Sequence, residues 1–524
     1  MGHLFERRRV GVLCHITSLP SKQSKTTLNA KPNKTSSTNV NTSSGSGDLG
    51  QESRRFVDFL HDIGATIWQT LPLNMPHADG SPYQGLSAHA GNSEFISLEE
   101  VVKQGLLTKL ELKALSANKS VTKQCIINQV YANFTGQAAS ETQQAFSSFC
   151  AQQAFWLDDF ALFLALRERF NQVGWSAWPD EYKNRDATML KSATVLLARE
   201  IDSTKFTQFL FFTQWMALKT YAVSKSVYLF GDIPIFVSYD SADVWAMPHL
   251  FKLDADKNMT VVAGVPPDYF SATGQRWGNP HYNWEAMQAD GFAWWLGRMQ
   301  TQNIMFDMVR IDHFRGLESA WEIPATDDTA MNGQWVRAPG DALLDAIVQR
   351  YPDMTLVAED LGVITDEVNA LREKYALPGM KILQFAFGGE EDNPYLPHHI
   401  ETNSVVYTGT HDNDTSLGWY NELGEHERAN FHAYLKNHDW QDNSATQALD
   451  NEFSMPFSLI ELALASNAQL AIIPMQDILE LGTEHRMNVP GSCDGNWTWR
   501  FNWSQLLPDQ QQRISAAIHK SNRS

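Results

Sequence analysis

The sequence predicts an α/β fold, a (β/α)8 TIM barrel that carries inserted, mainly helical subdomains. Eight short segments rich in apolar and β-branched residues alternate with segments whose apolar residues recur at helical spacing. Such alternation is typical of a parallel sheet covered by helices, and no internal repeat indicates another closed architecture.

The predicted barrel strands follow one another along the whole chain. In order they are residues 10–14, 65–69, 227–232, 309–312, 356–359, 380–387, 404–408 and 469–474. Helical spacing predicts helices between the later strands, at residues 340–350, 365–374 and 453–465.

The length leaves room for large insertions, because a barrel of this kind takes about 250 residues and the chain has 524. We expect one catalytic barrel domain over residues 1–524. Residues 21–47 predict a flexible low-complexity loop, since their Ser, Thr, Asn and Lys cannot bury enough apolar surface to become ordered. Residues 99–224 predict a helical subdomain, and residues 240–300 a substrate-loop insertion.

Charge and composition exclude several classes of partner. The net charge of −19 argues against nucleic acid and anionic membranes, which require clustered Lys and Arg, and favours a neutral substrate. No segment reaches the roughly 18–20 apolar residues of a membrane helix, and the N-terminus lacks the apolar core of a signal peptide. We therefore expect a cytoplasmic protein. Four widely spaced cysteines argue against disulfide and zinc chemistry.

Three carboxylates follow hydrophobic segments at positions where barrel strands end: Asp312, Glu359 and Asp412. Catalytic groups of a barrel collect at the carboxyl ends of its strands. Cleavage of a glycosidic bond uses one carboxylate as nucleophile and a second, protonated carboxyl as acid/base. Each residue alone is more simply an acidic residue in a solvated turn, but three in the same setting favour glycosidic chemistry.

Two loops rich in Gly and Pro carry aromatic residues. Tyr83 is expected at the tip of the loop after the second strand, and Tyr269, Phe270 and Trp277 lie in residues 264–280. No helical or strand spacing buries the last three as a set. Exposed aromatic rings suit the apolar faces of sugars, so we interpret these as a stacking surface, with a packed loop core as the alternative.

Together these residues resemble a known family. Nearly the whole chain, from residue 11 to about 503, resembles the 4-α-glucanotransferases called amylomaltases or disproportionating enzymes, glycoside hydrolase family 77 of the α-amylase clan. The motifs that carry the resemblance are residues 17–20 (TSLP), 81–83 (SPY), 231–234 (GDIP), 266–280, 310–316 (RIDHFRG), 358–362 (AEDLG), 410–413 (THDN), 488–491 (NVPG) and 495–497 (GNW).

The resemblance implies a role for each carboxylate. Asp312 is then the nucleophile of a retaining reaction and Glu359 the acid/base, while Asp412 holds hydroxyls 2 and 3 of the distorted sugar. His411 would donate to the same sugar. Arg310 lies two residues before Asp312 on a strand and so shares its face, where a guanidinium favours the ionised nucleophile.

The resemblance also implies the substrate and its contacts. The partners would be α-1,4-glucans, namely maltooligosaccharides and segments of starch or glycogen, with no metal and no organic cofactor. Further substrate-binding residues would be Asp232, Ser81, Tyr83 and Asn279, with acceptor-side stacking on Tyr269, Phe270 and Trp277.

Two questions stay open at this stage. The carboxylates alone do not distinguish transfer to a second glucan from hydrolysis of the α-amylase type, because that choice depends on excluding water. A catalytically silent glycan-binding barrel is a remoter alternative, since it would have lost a carboxylate. For a retaining enzyme we predict that the carboxyl groups of Asp312 and Glu359 lie about 5–6 Å apart.

One departure from the family lies near the N-terminus. About 25 residues, 21–45, separate the TSLP segment from residues 47–50, which follow it almost directly in the family. Because the flanks match on both sides, we expect the barrel to tolerate the insertion. We hypothesise that it affects which long glucans enter the cleft.

Overall fold

Eight parallel strands form the centre of the computed structural model, which describes residues 3–21, 46–118, 120–137, 139–267, 271–437, 454–492 and 494–524. The strands of the described residues are β1 Arg9–Leu13, β2 Ile67–Gln69, β3 Tyr228–Ile233, β4 Val261–Val265, β5 Gln275–Pro280, β6 Met308–Ile311, β7 Ser319–Pro324, β8 Gln334–Arg337, β9 Thr355–Ala358, β10 Gly379–Ile382, β11 Ser404–Tyr407 and β12 Leu470–Pro474.

Helices cover the strands and fill the insertions. They are α1 Gln51–Ile63, α2 Leu98–Lys103, α3 Lys109–Ala117, α4 Lys123–Gln137, α5 Ser140–Arg169, α6 Asp180–Lys183, α7 Ala187–Leu196, α8 Ala198–Ser224, α9 Ala242–Ala246, α10 Trp284–Ala289, α11 Ala293–Met305, α12 Gly340–Arg350, α13 Asp366–Lys374, α14 Ser416–Glu422, α15 Glu425–Asn437, α16 Phe457–Ala465, α17 Met475–Ile478 and α18 Pro508–Lys520. Among the described residues, none of them is both long and apolar enough to cross a bilayer.

The parallel strands pair in the order β10-β11-β12-β1-β2-β3-β6-β9. Between the two outer strands, Ala358 N donates to Pro378 O at 2.9 Å, so the sheet is nearly closed into a barrel. All eight predicted strands are present, and the predicted barrel is confirmed. The sixth strand is shorter than predicted, because the chain turns into a 3-10 helix, Leu383–Phe385, after Ile382.

The predicted helical character of residues 99–224 agrees with the structure, where α2 to α8 occupy this span. The long helices α5 and α8 pack against each other through aromatic side chains. Phe146 of α5 and Phe209 of α8 lie 5.6 Å apart between ring centroids, and Trp156 is 6.1 Å from Phe212. These rings form the interior of the helical region, as expected. Its status as a separate subdomain stays a prediction.

A four-stranded antiparallel sheet, in the order β5-β4-β7-β8, lies beside the barrel and was not predicted. The interpretation of residues 264–280 as an irregular loop was therefore wrong for both of its ends, which lie in β4 and β5. These strands contain Gly, Pro and Gln and show no alternation of their own. β5 pairs with β4, and β4 pairs with β7, whose residues follow Asp312 in the chain; the second pairing is a tertiary contact that local sequence does not encode.

The predicted flexible loop falls almost entirely outside the described residues, which omit 22–45. Its two flanks meet. Gly47 N lies 3.4 Å from Thr17 O, and Leu49 N donates to Phe95 O at 2.8 Å. A Cβ atom on Gly47 would lie 2.1 Å from Ile16 O, so the chain returns in close contact with the segment that it left.

Candidate active site

The carboxyl ends of the barrel strands bring the predicted site residues together. Asp232 lies in β3 directly opposite Arg310 in β6, and Ile311 pairs with Ala358 of β9. Asp312 and Glu359 are thus the first residues after two neighbouring strands. Glu359 N donates to Ile311 O at 3.0 Å, which continues the strand pairing up to the site.

Arg310 is the central cation of the site and is only 6% exposed. Its Nη1 donates to both carboxylate oxygens of Asp232, at 2.8 and 2.7 Å, and its Nη2 lies 2.9 Å from Asp312 Oδ1. The predicted contact between Arg310 and Asp312 is therefore present. A planar guanidinium can serve two carboxylates at once in fixed directions, which a lysine ammonium cannot do.

Glu359 is held by backbone groups. Its Oε2 accepts a hydrogen bond from His313 N at 2.6 Å, and its Oε1 accepts one from Leu361 N at 3.1 Å. His313 adopts the left-handed conformation, with φ of 52°. This turn directs its amide at Glu359 immediately after Asp312, so the backbone that carries one carboxylate orients the other.

Burial changes the protonation of both carboxyls. It raises the pKa of Asp312, against the opposing attraction of the Arg310 guanidinium, and it raises the pKa of Glu359 as well. Two carboxylates in one buried cleft repel each other when both are ionised. The pair therefore retains a proton near neutral pH, as acid/base chemistry requires.

Asp412 lies after β11 and is the most exposed of the three carboxylates, with 47% of its side chain accessible. Its Oδ1 accepts a hydrogen bond from Asn488 Nδ2 at 2.6 Å and lies 3.4 Å from His411 Nε2. Arg486 Nη2 donates to its carbonyl oxygen at 3.0 Å. Burial lowers the pKa of His411, so its imidazole is neutral at physiological pH.

Tyr83 joins this group from the loop after β2. Its hydroxyl donates to Asp232 Oδ2 at 2.7 Å, and its ring stacks on His411 at 5.2 Å with an angle of 11°. Tyr83 lies in a turn of the loop after β2, and its side chain packs into the site. Burial and the nearby Asp232 carboxylate raise the pKa of Tyr83, which keeps its hydroxyl protonated.

Ser81 and Asn279 lie beside the site in supporting positions. Ser81 Oγ accepts a hydrogen bond from Tyr83 N at 3.3 Å and shapes the turn that presents Tyr83. Asn279 is 5% exposed, donates to Val237 O at 3.0 Å and accepts from Gln84 Nε2 at 3.3 Å. In this conformation its amide is engaged by the protein.

Comparison of the whole chain with known proteins identifies its family. The model of the 4-alpha-glucanotransferase family matches residues 34–506. The chain is 42% identical to a 4-α-glucanotransferase of Thermus thermophilus over 524 residues, covering 98% of this chain and 99% of the relative. The chain belongs to the 4-α-glucanotransferase family.

Other relatives and solved structures agree. A chloroplastic/amyloplastic 4-α-glucanotransferase of Solanum tuberosum is 41% identical over 509 residues, covering 95% of this chain and 82% of the relative. The structure of a Streptococcus agalactiae amylomaltase in complex with acarbose superposes with a TM-score of 0.88 at 33% identity, over 99% and 100% of the two chains. The amylomaltase of Corynebacterium glutamicum shares the fold, with a TM-score of 0.77 at 18% identity over 99% of this chain and 76% of that one.

Membership of the 4-α-glucanotransferase family confirms the resemblance drawn from the motifs. The activity is glycosyl transfer among α-1,4-glucans, and the hydrolase alternative is not favoured.

Of the three aromatic residues predicted on the acceptor side of this glucanotransferase, the described residues include Trp277. Trp277 is in β5 and contacts the edge of the His313 ring, at 4.9 Å between centroids and an angle of 88°. Trp277 therefore contacts the residue that directly follows Asp312 in the chain. Tyr269 and Phe270 fall outside the described residues.

The sequence did not predict three residues that contact the site. Asn488 and Trp497 belong to motifs already recognised, but nothing in their local sequence shows what they touch. Trp497 lies 5.9 Å from Tyr83 and 6.0 Å from His411, measured between ring centroids. Arg486 belongs to no motif, and its contact with the Asp412 carbonyl joins residues 74 positions apart.

Proposed function

We propose that the chain transfers glucan segments by a double displacement in which Asp312 is the nucleophile and Glu359 the acid/base. The observation that supports this most directly is the asymmetry between the two buried carboxyls. Asp312 pairs with the Arg310 guanidinium at 2.9 Å, whereas the hydrogen-bond partners of Glu359 are backbone amides. The cation favours the anion at Asp312 and leaves the shared proton on Glu359.

In the first step Asp312 attacks the anomeric carbon of the donor. The bond between this carbon and the bridging 4-oxygen breaks, the Glu359 proton moves to that oxygen, and the shortened glucan leaves. A covalent glucosyl ester on Asp312 remains, and Glu359 is now ionised. The separation of about 5–6 Å between the two carboxyl groups, predicted from the sequence, belongs to this retaining mechanism.

In the second step an acceptor glucan replaces the departed one. Glu359 removes the proton from the acceptor 4-hydroxyl, the acceptor oxygen attacks the anomeric carbon, and the ester bond to Asp312 breaks. The Arg310 guanidinium again stabilises the carboxylate that forms. Configuration is retained, and Glu359 recovers its proton for the next cycle.

Asp412 and His411 hold the sugar at the point of cleavage. Asp412 has its carboxylate half exposed at the cleft, and His411 is neutral, so together they offer an acceptor and a donor to neighbouring hydroxyls. Hydroxyl contacts that strengthen as the ring distorts lower the barrier more than they improve binding. Tyr83 and Asp232 complete this wall of the cleft and are proposed as substrate contacts.

Transfer to a glucan instead of water requires an acceptor that stays in place. Trp277, beside His313, is proposed to stack on the acceptor sugar. The same role is proposed for Tyr269 and Phe270, which precede β5 in the sequence. The proposed substrates are maltooligosaccharides and segments of starch or glycogen. Acarbose binds the Streptococcus agalactiae relative, and we propose that it occupies the same cleft here.

The test is incubation of the purified protein with maltotriose while the product ladder and the total reducing ends are followed. Disproportionation produces glucose and longer maltooligosaccharides at constant reducing ends, because every bond broken is replaced by one formed. Rising reducing ends with no product longer than maltotriose would mean that water is the acceptor. That result would replace transfer by hydrolysis of the α-amylase type.

We also propose a cytoplasmic location, since no segment of the sequence is apolar over the length of a membrane helix. The Solanum tuberosum relative is named for plastids, so location differs within the family. Cell fractionation followed by immunodetection tests this point. Recovery in an organelle or membrane fraction would contradict it.

A further inference from the structure

A carboxylate outside the proposed cleft contacts both ends of the loop that carries Asp412. Asp477 lies in the short helix α17, which follows barrel strand β12, and is 1% exposed. Its Oδ2 accepts hydrogen bonds from Thr408 Oγ1 and from Ser416 Oγ, each at 2.6 Å. Its Oδ1 accepts a third from Ser416 N at 2.8 Å.

These three hydrogen bonds hold both ends of the loop that carries Asp412. Thr408 directly follows β11, and Ser416 begins α14. The residues between them, 409–415, form the loop in which His411 and Asp412 lie. Both Thr408 and Ser416 are fully buried, so Asp477 fixes the loop at its base while Asp412 reaches into the cleft.

The aspartate at position 477 suits this set of donors. A carboxylate can accept all three hydrogen bonds, whereas an amide offers one oxygen and two donors. Burying a carboxylate that has only neutral donors as hydrogen-bond partners costs free energy, and burial accordingly raises the pKa of Asp477. A structural hydrogen bond alone does not require this group.

We propose that Asp477 is a positioning residue for the transfer reaction, which holds the loop 408–416 so that Asp412 meets the sugar in the transition state. A displacement of about 1 Å at a catalytic group can cost about a hundredfold in rate. Asp412 itself is held from above by Asn488 and Arg486, so its carboxylate is fixed on one side and its loop on the other.

This inference rests on the role proposed for Asp412, and a double-mutant cycle tests the two separately. The variants are Asp477→Asn, Asp412→Asn and the pair, assayed for kcat and KM with maltotriose. We expect Asp477→Asn to lower kcat at least about tenfold with KM changed less than about threefold. In the Asp412→Asn background the same change should lower the residual rate less than about twofold, because the group that Asp477 positions is already lost.

Thr408→Val provides a second test that preserves side-chain volume. It removes one of the three donors and should lower kcat by about three- to tenfold, again without an effect in the Asp412→Asn background. Because Val fills the same space, this variant keeps the proposal testable if Asp477→Asn does not fold.

Asp243→Asn is the matched control. Asp243 is also a buried carboxylate, and it accepts from Ala88 N and Trp294 Nε1, neither of which belongs to the proposed site. Its replacement should lower the melting temperature but leave kcat within about twofold. An equal loss of kcat in Asp243→Asn would overturn the positioning role, since instability alone would then explain both losses.

The remaining outcomes distinguish the two proposals. If Asp412→Asn alone costs less than about tenfold, the role proposed for Asp412 fails and the positioning role falls with it. If Asp412→Asn costs orders of magnitude but the losses of Asp412→Asn and Asp477→Asn multiply, the function stands and the positioning role of Asp477 is overturned.

Discussion

At the scale of single residues, we propose that Arg310 favours the ionised form of Asp312 over that of the neighbouring Glu359. It is buried with Asp232 on one nitrogen and Asp312 on the other, so its charge is used twice. Asp232 also accepts a hydrogen bond from the Tyr83 hydroxyl, which helps to hold the carboxylate that binds the guanidinium. Removing either carboxylate would leave the buried Arg310 cation only partly neutralised, which costs free energy in a low-dielectric cleft.

Glu359→Gln tests the other member of the pair. Gln cannot donate the catalytic proton, so kcat/KM should fall by several orders of magnitude, on the order of 10³ or more. In the wild type, kcat/KM should decline as pH rises through the raised pKa of Glu359, because the free enzyme then loses the proton that the leaving oxygen needs. A pH profile of kcat/KM for both proteins measures this, and Glu359→Gln should lack the alkaline decline.

The matched control is Glu322→Gln, a buried glutamate in β7 that pairs with Lys252. It should keep the alkaline decline of the wild type. A loss of less than about tenfold in Glu359→Gln would identify another residue as the acid.

At the scale of elements, the antiparallel sheet carries Trp277 on one edge strand, β5, and Trp335 on the other edge strand, β8. The Trp335 ring packs under the Arg315 guanidinium at 3.7 Å, whereas Trp277 contacts His313 beside Asp312. The two tryptophans therefore form a natural pair for comparison within one element.

Trp277→Ala should weaken binding of the acceptor sugar and allow water to reach the intermediate in its place. Loss of one stacking contact, worth about 1.4 kcal/mol, corresponds to a tenfold rise in KM for the acceptor. The share of turnovers that end in hydrolysis should rise as well, which is measured as growth of reducing ends per glucose released from maltotriose. Trp335→Ala should change neither quantity by more than about twofold; equal effects of the two substitutions would contradict the stacking role.

The insertion at residues 21–45 is an element whose removal the barrel should tolerate. Its flanks already meet between Gly47 and Thr17, and the closure entropy of a loop changes only by about 0.6 kcal/mol for each doubling of its length. A protein lacking residues 21–45 should keep its melting temperature within about 2 °C and its rate on maltotriose within about twofold.

The same deletion tests the hypothesis that the insertion affects long glucans. The ratio of rates on polymer and on maltotriose should change when the insertion is removed. An unchanged ratio would reject the hypothesis without affecting the assignment of the site.

At the scale of the whole molecule, the two ends of the chain meet at the amino ends of the strands, opposite the site. Arg523 is fully buried there. It donates to Leu464 O at 2.8 Å, to Ser466 O at 2.9 Å and to Arg9 O at 3.1 Å, and so ties α16 and the start of β1 together. Burial lowers the pKa of its guanidinium. Two of these carbonyl oxygens, Leu464 O and Ser466 O, also accept a hydrogen bond from Arg8 Nη2.

Arg523→Ala should reduce stability without changing the chemistry. The carbonyls of Leu464, Ser466 and Arg9 would each lose one hydrogen-bond donor, which we expect to lower the free energy of unfolding by about 3 kcal/mol and the melting temperature by about 2–4 °C. Transfer from maltotriose at 25 °C should stay unchanged. Arg7→Ala is the control, because Arg7 makes an exposed contact of 3.4 Å to Ser524 O; equal melting temperatures for the two variants would contradict a role for Arg523 in holding α16 to the start of β1.

The sequence by itself determined the barrel and the residue types of its chemistry. Barrel strands are apolar runs with a turn after them, and a carboxylate at such an end is visible locally, as it is at Asp312, Glu359 and Asp412. The sequence also determined the family, because its motifs are long and lie at the same strand ends.

Only the tertiary structure decided how these groups act on one another. The antiparallel sheet escaped prediction because β5 and β8 acquire strand structure from their partners and not from their own composition. The inward packing of Tyr83, the division of Arg310 between two carboxylates and the hold of Asp477 on both ends of one loop join residues tens to hundreds of positions apart. Contacts of that range leave no local pattern, since their free energy depends on burial and direction that exist only once the chain is folded.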